Sequence, residues 1–325
     1  MSERLRRVKY AQDVLGTMGN TPLVRLNQVT KDVKCTVLAK LEYFNPGGSV
    51  KDRIAPYMIE EEVRQGRLKP GGTIVECTSG NTGLGLALAA SLMGYKCVFT
   101  MPDKVPVEKE YMLKAYGAEV IRCPTNVAPE SPESYYSVAK RIASERPNAV
   151  RPNQYDNQMN PEAHYRTTGP EIWRDTAGEV DAFVCGAGTG RYLKEQNPKV
   201  QIVGVDPRGS ILCEFFETGK MGEAGSYLID GIGEDFIPGA YNFKYVDRMI
   251  TVEDPDAIIM TRRLAREEGM LVGSSSGAAV VGALKVARDL DADKIVVVLI
   301  PDTGERYLSK VHSEKWLADN GFKGI

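Results

Sequence analysis

Histidine is almost missing from this chain, with only His164 and His312 among 325 residues. Two histidines so far apart give no basis for a metal centre, and each reads as a structural or surface residue. No apolar run approaches the roughly 20 residues that a membrane span needs. No block of like charge is present either: the net charge is −2, with both signs mixed along the chain. That leaves no basic footprint for nucleic acid and no polybasic patch for a membrane. The start, Met1 to Arg7, carries positive charge with no apolar stretch behind it, so it does not read as a signal peptide. No two of the six cysteines have CxxC spacing, and four lie in apolar strand-like runs. They read as reduced core thiols of a cytoplasmic protein.

What is present is an ordinary globular composition, 42% apolar and 26% charged, in a chain long enough for two domains. Short β-branched runs alternate with helical patterns, which predicts an α/β fold with parallel sheets and crossover helices. The strand candidates are 36–41, 73–77, 96–101, 119–123, 182–185, 201–205 and 294–300. The last is apolar throughout from Ile295 to Ile300, as a strand buried on both faces should be. Helices are expected over 52–65, 83–93, 107–116, 134–145, 161–173, 256–268, 277–289 and 305–317. Residues 45–151 are expected to form a smaller domain. Residues 1–44 and 152–325 form the larger one, with the site in the cleft at the carboxyl ends of the strands.

The chemistry centres on one lysine. In Asn45-Pro46-Gly47-Gly48-Ser49-Val50-Lys51-Asp52-Arg53, Lys51 follows a tight turn where a helix begins. The positive field of a helix N-terminus and apolar neighbours both disfavour the ammonium and favour a nucleophilic amine. Taken alone, such a lysine is more often simply exposed, but three further turns keep it company. Thr78-Ser79-Gly80-Asn81-Thr82-Gly83 opens a helix after a strand and suits a substrate carboxylate, although Thr, Ser and Asn also serve as plain caps. Gly186-Ala187-Gly188-Thr189-Gly190 can cradle a phosphate without the spacing of a dinucleotide fingerprint. Gly273-Ser274-Ser275-Ser276-Gly277 again starts a helix, where a serine is either a cap or a hydroxyl facing a pyridine nitrogen.

Together these four segments resemble the motif set of fold-type II pyridoxal-phosphate enzymes, and more narrowly the cysteine synthase/cystathionine β-synthase family. The resemblance runs from Thr17-Met18-Gly19-Asn20-Thr21-Pro22-Leu23 to Pro301-Asp302-Thr303-Gly304-Glu305-Arg306-Tyr307. It implies a tryptophan synthase β-like fold of two α/β domains and pyridoxal 5'-phosphate as cofactor, with amino-acid and thiol substrates and a homodimer. By the same resemblance Lys51 binds the cofactor as a Schiff base and Asn81 bonds its ring hydroxyl. Ser275 faces the pyridine nitrogen, and Gly186, Gly188, Thr189 and Gly190 belong to the phosphate loop. Thr78, Ser79, Thr82 and Gln154 hold the substrate carboxylate, and Gly231, Ile232 and Gly233 form a turn that approaches the substrate and governs closure.

Within the family, Asp230 to Pro238 and Gly204 to Ser210 are similar to the cystathionine β-synthase branch, as are Ser131 to Ser134 and Asn160 to Tyr165. The segment Pro301 to Tyr307 is more similar to cysteine synthases. The expected reaction is condensation of L-serine with L-homocysteine to L-cystathionine. The alternative is cysteine synthesis from O-acetylserine or O-phosphoserine and sulfide. No haem-binding Cys/His pair precedes the core and no regulatory domain pair follows Trp316, so haem sensing and nucleotide-type activation are not expected.

One departure stands out. After Gly190 the family continues with another Gly-Thr and about a turn of helix, whereas this chain passes directly to Arg191-Tyr192-Leu193-Lys194-Glu195. A helix of about six residues, roughly 9 Å long, then remains before Asn197-Pro198. Either the phosphate loop is truly short, which weakens cofactor binding or abolishes it and leaves a non-catalytic binding protein, or residues are missing from the sequence at this point.

Overall fold

A computed structural model describes residues 9–322 apart from Ser79, Pro106, Pro129 and Gly186. The strands are β1 (Leu23–Arg25), β2 (Thr36–Leu41), β3 (Thr73–Cys77), β4 (Lys96–Pro102), β5 (Glu119–Cys123), β6 (Ala149–Val150), β7 (Ala182–Val184), β8 (Gln201–Pro207), β9 (Arg248–Val252) and β10 (Ile295–Ile300). The helices are α1 (Ile54–Arg64), α2 (Asn81–Met93), α3 (Val107–Ala115), α4 (Tyr135–Glu145), α5 (Met159–Arg166), α6 (Thr168–Asp175), α7 (Ala187–Gln196), α8 (Leu212–Thr218), α9 (Asp254–Glu267), α10 (Ser274–Ala287) and α11 (Glu314–Asp319). Among the described residues the strands form a six-stranded sheet, β1-β2-β10-β7-β8-β9, and a four-stranded sheet, β5-β4-β3-β6. Every pairing is parallel except β1 with β2. The architecture is the expected α/β one.

The all-apolar run Ile295–Ile300 takes the inner position between β2 and β7 and is buried from Val296 onward. A strand covered by helices on both faces has no reason to alternate polar and apolar residues. The smaller sheet is covered by α2, an apolar helix buried over most of its circumference. Its Gly85 is required by close approach, since a Cβ there would lie 2.8 Å from the Lys51 carbonyl oxygen. The helix behind the smaller sheet therefore lies directly against the lysine-bearing turn.

Two expected helices are divided. The span 161–173 breaks at Thr167 (φ −123°, ψ −69°), whose hydroxyl donates back to the Ala163 carbonyl at 2.7 Å. Such back-bonding competes with the backbone ladder and bends helices. The span 305–317 resolves into a 3₁₀ turn at Gly304–Tyr307 and the separate α11. The strands β1, β6 and β9 were not anticipated. Among the described residues no helix is long and apolar enough to cross a membrane.

A buried charge network ties these parts together. Lys40 in β2, Glu42 just after it, Arg53 and Glu171 in α6 are each no more than 6% exposed. Arg53 donates to Glu42 at 2.6 and 2.9 Å and to Glu171 at 2.7 and 2.8 Å. Lys40 donates to Glu171 at 2.8 Å and to the Thr21 carbonyl at 2.6 Å. Burial alone would raise the Glu171 pKa, but bonds from Arg53 and Lys40 bring it down to about 2. Removing one member of a buried pair strands the other, so Glu171→Gln is expected to destabilise the fold by about 3 kcal/mol in chemical denaturation. A depressed carboxyl contributes stability above its ordinary value of 4.5 and loses it as pH falls towards about 2. Between those pH values the variant should therefore lose less stability than the wild type.

Candidate active site

The lysine turn is built from its own residues. Ser49 accepts from the Lys51 N–H at 3.2 Å, while the Asp52 carboxylate accepts from Gly47 N–H at 2.7 Å and Ser49 N–H at 3.5 Å, a capping box. Gly48 has φ +77°, a left-handed value that suits glycine. The turn is sewn to the carboxyl end of β10 by Val50 N–H to the Pro301 carbonyl at 2.8 Å and by a bridge between Ser49 and Asp302. The Lys51 amine makes no hydrogen bond or ion pair with any described residue. Burial lowers its pKa from the ordinary 10.5, with Glu234 and Asp302 pulling the other way. The result is an amine more often neutral than a surface lysine. His164 lies in the same field: burial, then Lys51 and Arg53, push it down to about 3, and its Nδ1 sits 3.0 Å from the Thr168 hydroxyl. It is thus a neutral imidazole beside the lysine, a proximity that its isolation in sequence conceals.

The Thr78–Gly83 turn follows β3 and opens α2. Gly80 N–H donates to the Thr78 hydroxyl at 3.3 Å, and the Thr82 hydroxyl bonds Gln154, so two expected substrate contacts meet across 72 positions. Ser79 lies outside the described residues. Asn81 is already engaged: its amide nitrogen donates to Asp302 at 2.6 Å, and its oxygen accepts from Arg306. Tyr307 also donates to Asp302, at 2.6 Å. Neither Arg306 nor Tyr307 stood out in sequence beyond ending the resemblance.

The serine run starts α10. Ser274 accepts from Asp230 N–H at 2.9 Å and so anchors the following turn, Gly231 at φ +89° and Gly233 at φ +83°. A Cβ at Gly231 would lie 3.9 Å from the Ser275 hydroxyl, and one at Gly233 would strike Pro207 at 2.5 Å. Ser275 is buried and its hydroxyl has no partner among the described residues. The Ser276 hydroxyl is also buried without a partner. Ile232 packs against the core of the larger sheet. After this turn Ser210 both accepts from Glu234 N–H at 2.9 Å and donates to the Glu234 carbonyl at 3.1 Å. Burial and neighbouring Asp235 raise the Glu234 carboxyl to about 7 against the pull of Lys51.

The glycine run departs from expectation. In place of an open loop followed by a six-residue helix, α7 begins at Ala187 and spans 10 residues. The short crossover is bridged by winding the run itself into the helix. Gly188 is pressed against α5, where a Cβ would meet the Pro161 carbonyl oxygen at 2.6 Å, and Gly190 faces Ile202 of β8 at 2.7 Å. Thr189 is buried, and Gly186 lies outside the described residues. Just before, Cys185 takes φ +75°, a conformation unfavourable for a residue with a side chain. The first-turn N–H groups, those of Gly188 and Thr189 among them, have no i−4 partner within the helix and remain available to an anion.

A family model described as pyridoxal-phosphate dependent enzyme matches residues 14–302, so the chain belongs to that family. It is 46% identical to a cystathionine beta-synthase of Apis mellifera over 97% of this chain, and it spans only 64% of the bee protein's length. It is 43% identical to a cysteine synthase of Staphylococcus aureus, covering 93% of this chain and 96% of that one. Among solved structures it resembles an O-acetylserine dependent cystathionine beta-synthase from Helicobacter pylori, with a TM-score of 0.83 and 38% identity over 93% of this chain and 99% of the other.

The residues fit the family's cofactor. A half-buried amine and a buried serine hydroxyl, both unpaired among the described residues, and first-turn N–H groups offer an attachment point, a ring contact and an anion contact. Gly188→Ala is expected to force α5 and α7 apart. It should lower stability by about 1–3 kcal/mol in urea unfolding, as overpacking does.

Proposed function

We propose that this protein catalyses a pyridoxal-phosphate-dependent β-replacement that condenses L-serine with L-homocysteine to L-cystathionine. The observation that carries the reading is the Lys51 amine, half-buried, without a hydrogen-bond or ion-pair partner among the described residues, and depressed in pKa, with the Glu234 carboxylate in its field. Its neutral Nζ attaches the cofactor, and once released it takes the α-proton of the substrate. When bound, the cofactor supplies an electron sink at the α-carbon. Thr78, Ser79, Thr82 and Gln154 hold the donor's carboxylate and fix the α-proton towards Lys51. Asn81 and Ser275 orient the ring, and a serine hydroxyl, unlike a carboxylate, does not stabilise a positive ring nitrogen. Gly186, Gly188, Thr189 and Gly190 meet the phosphate. The Gly231-Ile232-Gly233 turn shields the site from water while the β-hydroxyl departs as water and the thiol sulfur bonds to the β-carbon. On this reading 45–151 moves against 1–44 and 152–325, and the protein works as a cytoplasmic homodimer, as the family resemblance suggests.

Borohydride reduction of the cofactor-loaded protein should leave the label on the peptide containing Lys51, and Lys51→Ala should lower cystathionine formation by about a hundredfold to ten-thousandfold. A label on another residue, or undiminished turnover, refutes the assignment.

The second reading, cysteine synthesis from an O-activated serine and sulfide, is favoured by the Staphylococcus aureus relative and by Pro301 to Tyr307. The Glu234 carboxylate separates the two, because its charge complements the ammonium of an amino-acid thiol and offers nothing to sulfide. Glu234→Gln should reduce kcat/KM for homocysteine about tenfold more than for sulfide. The wild-type preference for homocysteine should strengthen as pH rises through about 7, where Glu234 ionises, and the variant should lack that rise. Equal losses with both thiols would speak for the second reading.

A further inference from the structure

Asp302 stands where three of the four turns of the site converge. Its backbone forms a bridge with Ser49 of the lysine turn, and its carbonyl accepts from Gly273 N–H, at the start of the serine run, at 3.4 Å. Its side chain is 1% exposed and accepts from the amide nitrogen of Asn81, in the third turn, at 2.6 Å. The Tyr307 hydroxyl donates to the same oxygen, also at 2.6 Å. The other carboxylate oxygen is buried without a partner among the described residues, and a Cβ at Gly273 would lie 2.4 Å from it. The carboxylate is thus wedged between the serine run and Asn81. At the other end of the Asn81 amide, the oxygen accepts from Arg306, which also donates to the Gly47 carbonyl of the lysine turn. Asn81 makes no further side-chain hydrogen bond among the described residues.

An amide offers donors at one end and an acceptor at the other, and its fixed contacts decide which end a ligand meets. Here a carboxylate, which only accepts, holds the nitrogen, and a guanidinium, which only donates, holds the oxygen. Turning the amide over would set donor against donor and acceptor against acceptor. Both partners carry charge, which makes each bond stronger than one between neutral groups. One N–H of Asn81 is left unspent, so a group placed against it must accept, and an ionised oxygen accepts best. We propose that Asp302 and Arg306 are positioning residues that act through Asn81, locking its amide so that the cofactor's ring hydroxyl meets a donor and is held in its ionised form. This rests on the role of Asn81 read above, not on the choice of thiol. It adds the reason why the amide presents nitrogen to the ring and not oxygen.

The test uses the cofactor-loaded protein, the variants Asn81→Ala, Asp302→Ala and Arg306→Met, and each of the last two combined with Asn81→Ala. Bound pyridoxal phosphate absorbs in the visible when its ring hydroxyl is ionised and in the near-ultraviolet when it is protonated, so the spectrum reads the clamp without any substrate. Asp302→Ala and Arg306→Met should each raise the near-ultraviolet share of the absorbance and weaken cofactor binding about tenfold, the worth of one charge-assisted hydrogen bond. In the Asn81→Ala background either substitution should add less than about twofold, because the route through Asn81 is already cut, whereas independent structural damage would add in full. Should Asp302→Ala fail to fold, Arg306→Met carries the test alone. Full additivity in the Asn81→Ala background overturns the clamp, as does an Arg306→Met protein with the spectrum and cofactor affinity of the wild type. If the wild type makes no cystathionine while the spectra and affinities behave as stated, the reaction assignment fails and the clamp stands.

Discussion

Four nearly inaccessible side chains, Lys40, Glu42, Arg53 and Glu171, hold the segment that carries Lys51. Two positive and two negative charges balance, and each donor fork is met by a carboxylate, so the low-dielectric surroundings strengthen the bonds without leaving a charge uncompensated. Arg53 is two residues from Lys51, and its partners come from the end of β2 and from α6. The lysine is therefore located by the larger sheet on one side and by α2 of the smaller sheet on the other. An amine whose pKa is lowered by burial is useful only if it is also kept in place, and the network supplies the second condition. Its members show no periodic pattern in sequence, and nothing before the fold was known pointed to Glu171.

Much of the scaffold was legible, for identifiable reasons. Thr36–Leu41, Thr73–Cys77 and Glu119–Cys123 match the predicted strands end to end, because β-branched residues bounded by polar or turn-forming ones leave few other choices. The strands β1 and β6, with three and two residues, are too short to carry a period. The strand β9, Arg248–Val252, follows a long irregular stretch, so no neighbouring element announced it. The candidate site could be read in the sequence as four separate turns, each marked by glycine or a hydroxyl, although only Thr78–Gly83 and Gly186–Gly190 come directly after a strand. Contacts across long separations were not. Arg306 on Asn81 and Lys109 over Tyr307 link parts of the chain about two hundred positions apart, and local pattern contains no trace of either.

The glycine run shows how a length constraint can override a motif. Glycines that permit a backbone cradle also permit close helix packing, and here it is the packing that the short connection imposes on them. Gly188 and Gly190 are held to their identity by Pro161 and Ile202, independently of any anion. In a longer crossover these two demands would fall on different residues.

With β7 ending at Val184 and α7 starting at Ala187, the connection has no spare chain, and a strained Cys185 occupies part of it. That helix cannot lift or swivel without dragging α5 and β8 along, so this wall of the cleft behaves as a rigid abutment. Any rearrangement that admits small molecules then falls to elements other than α7.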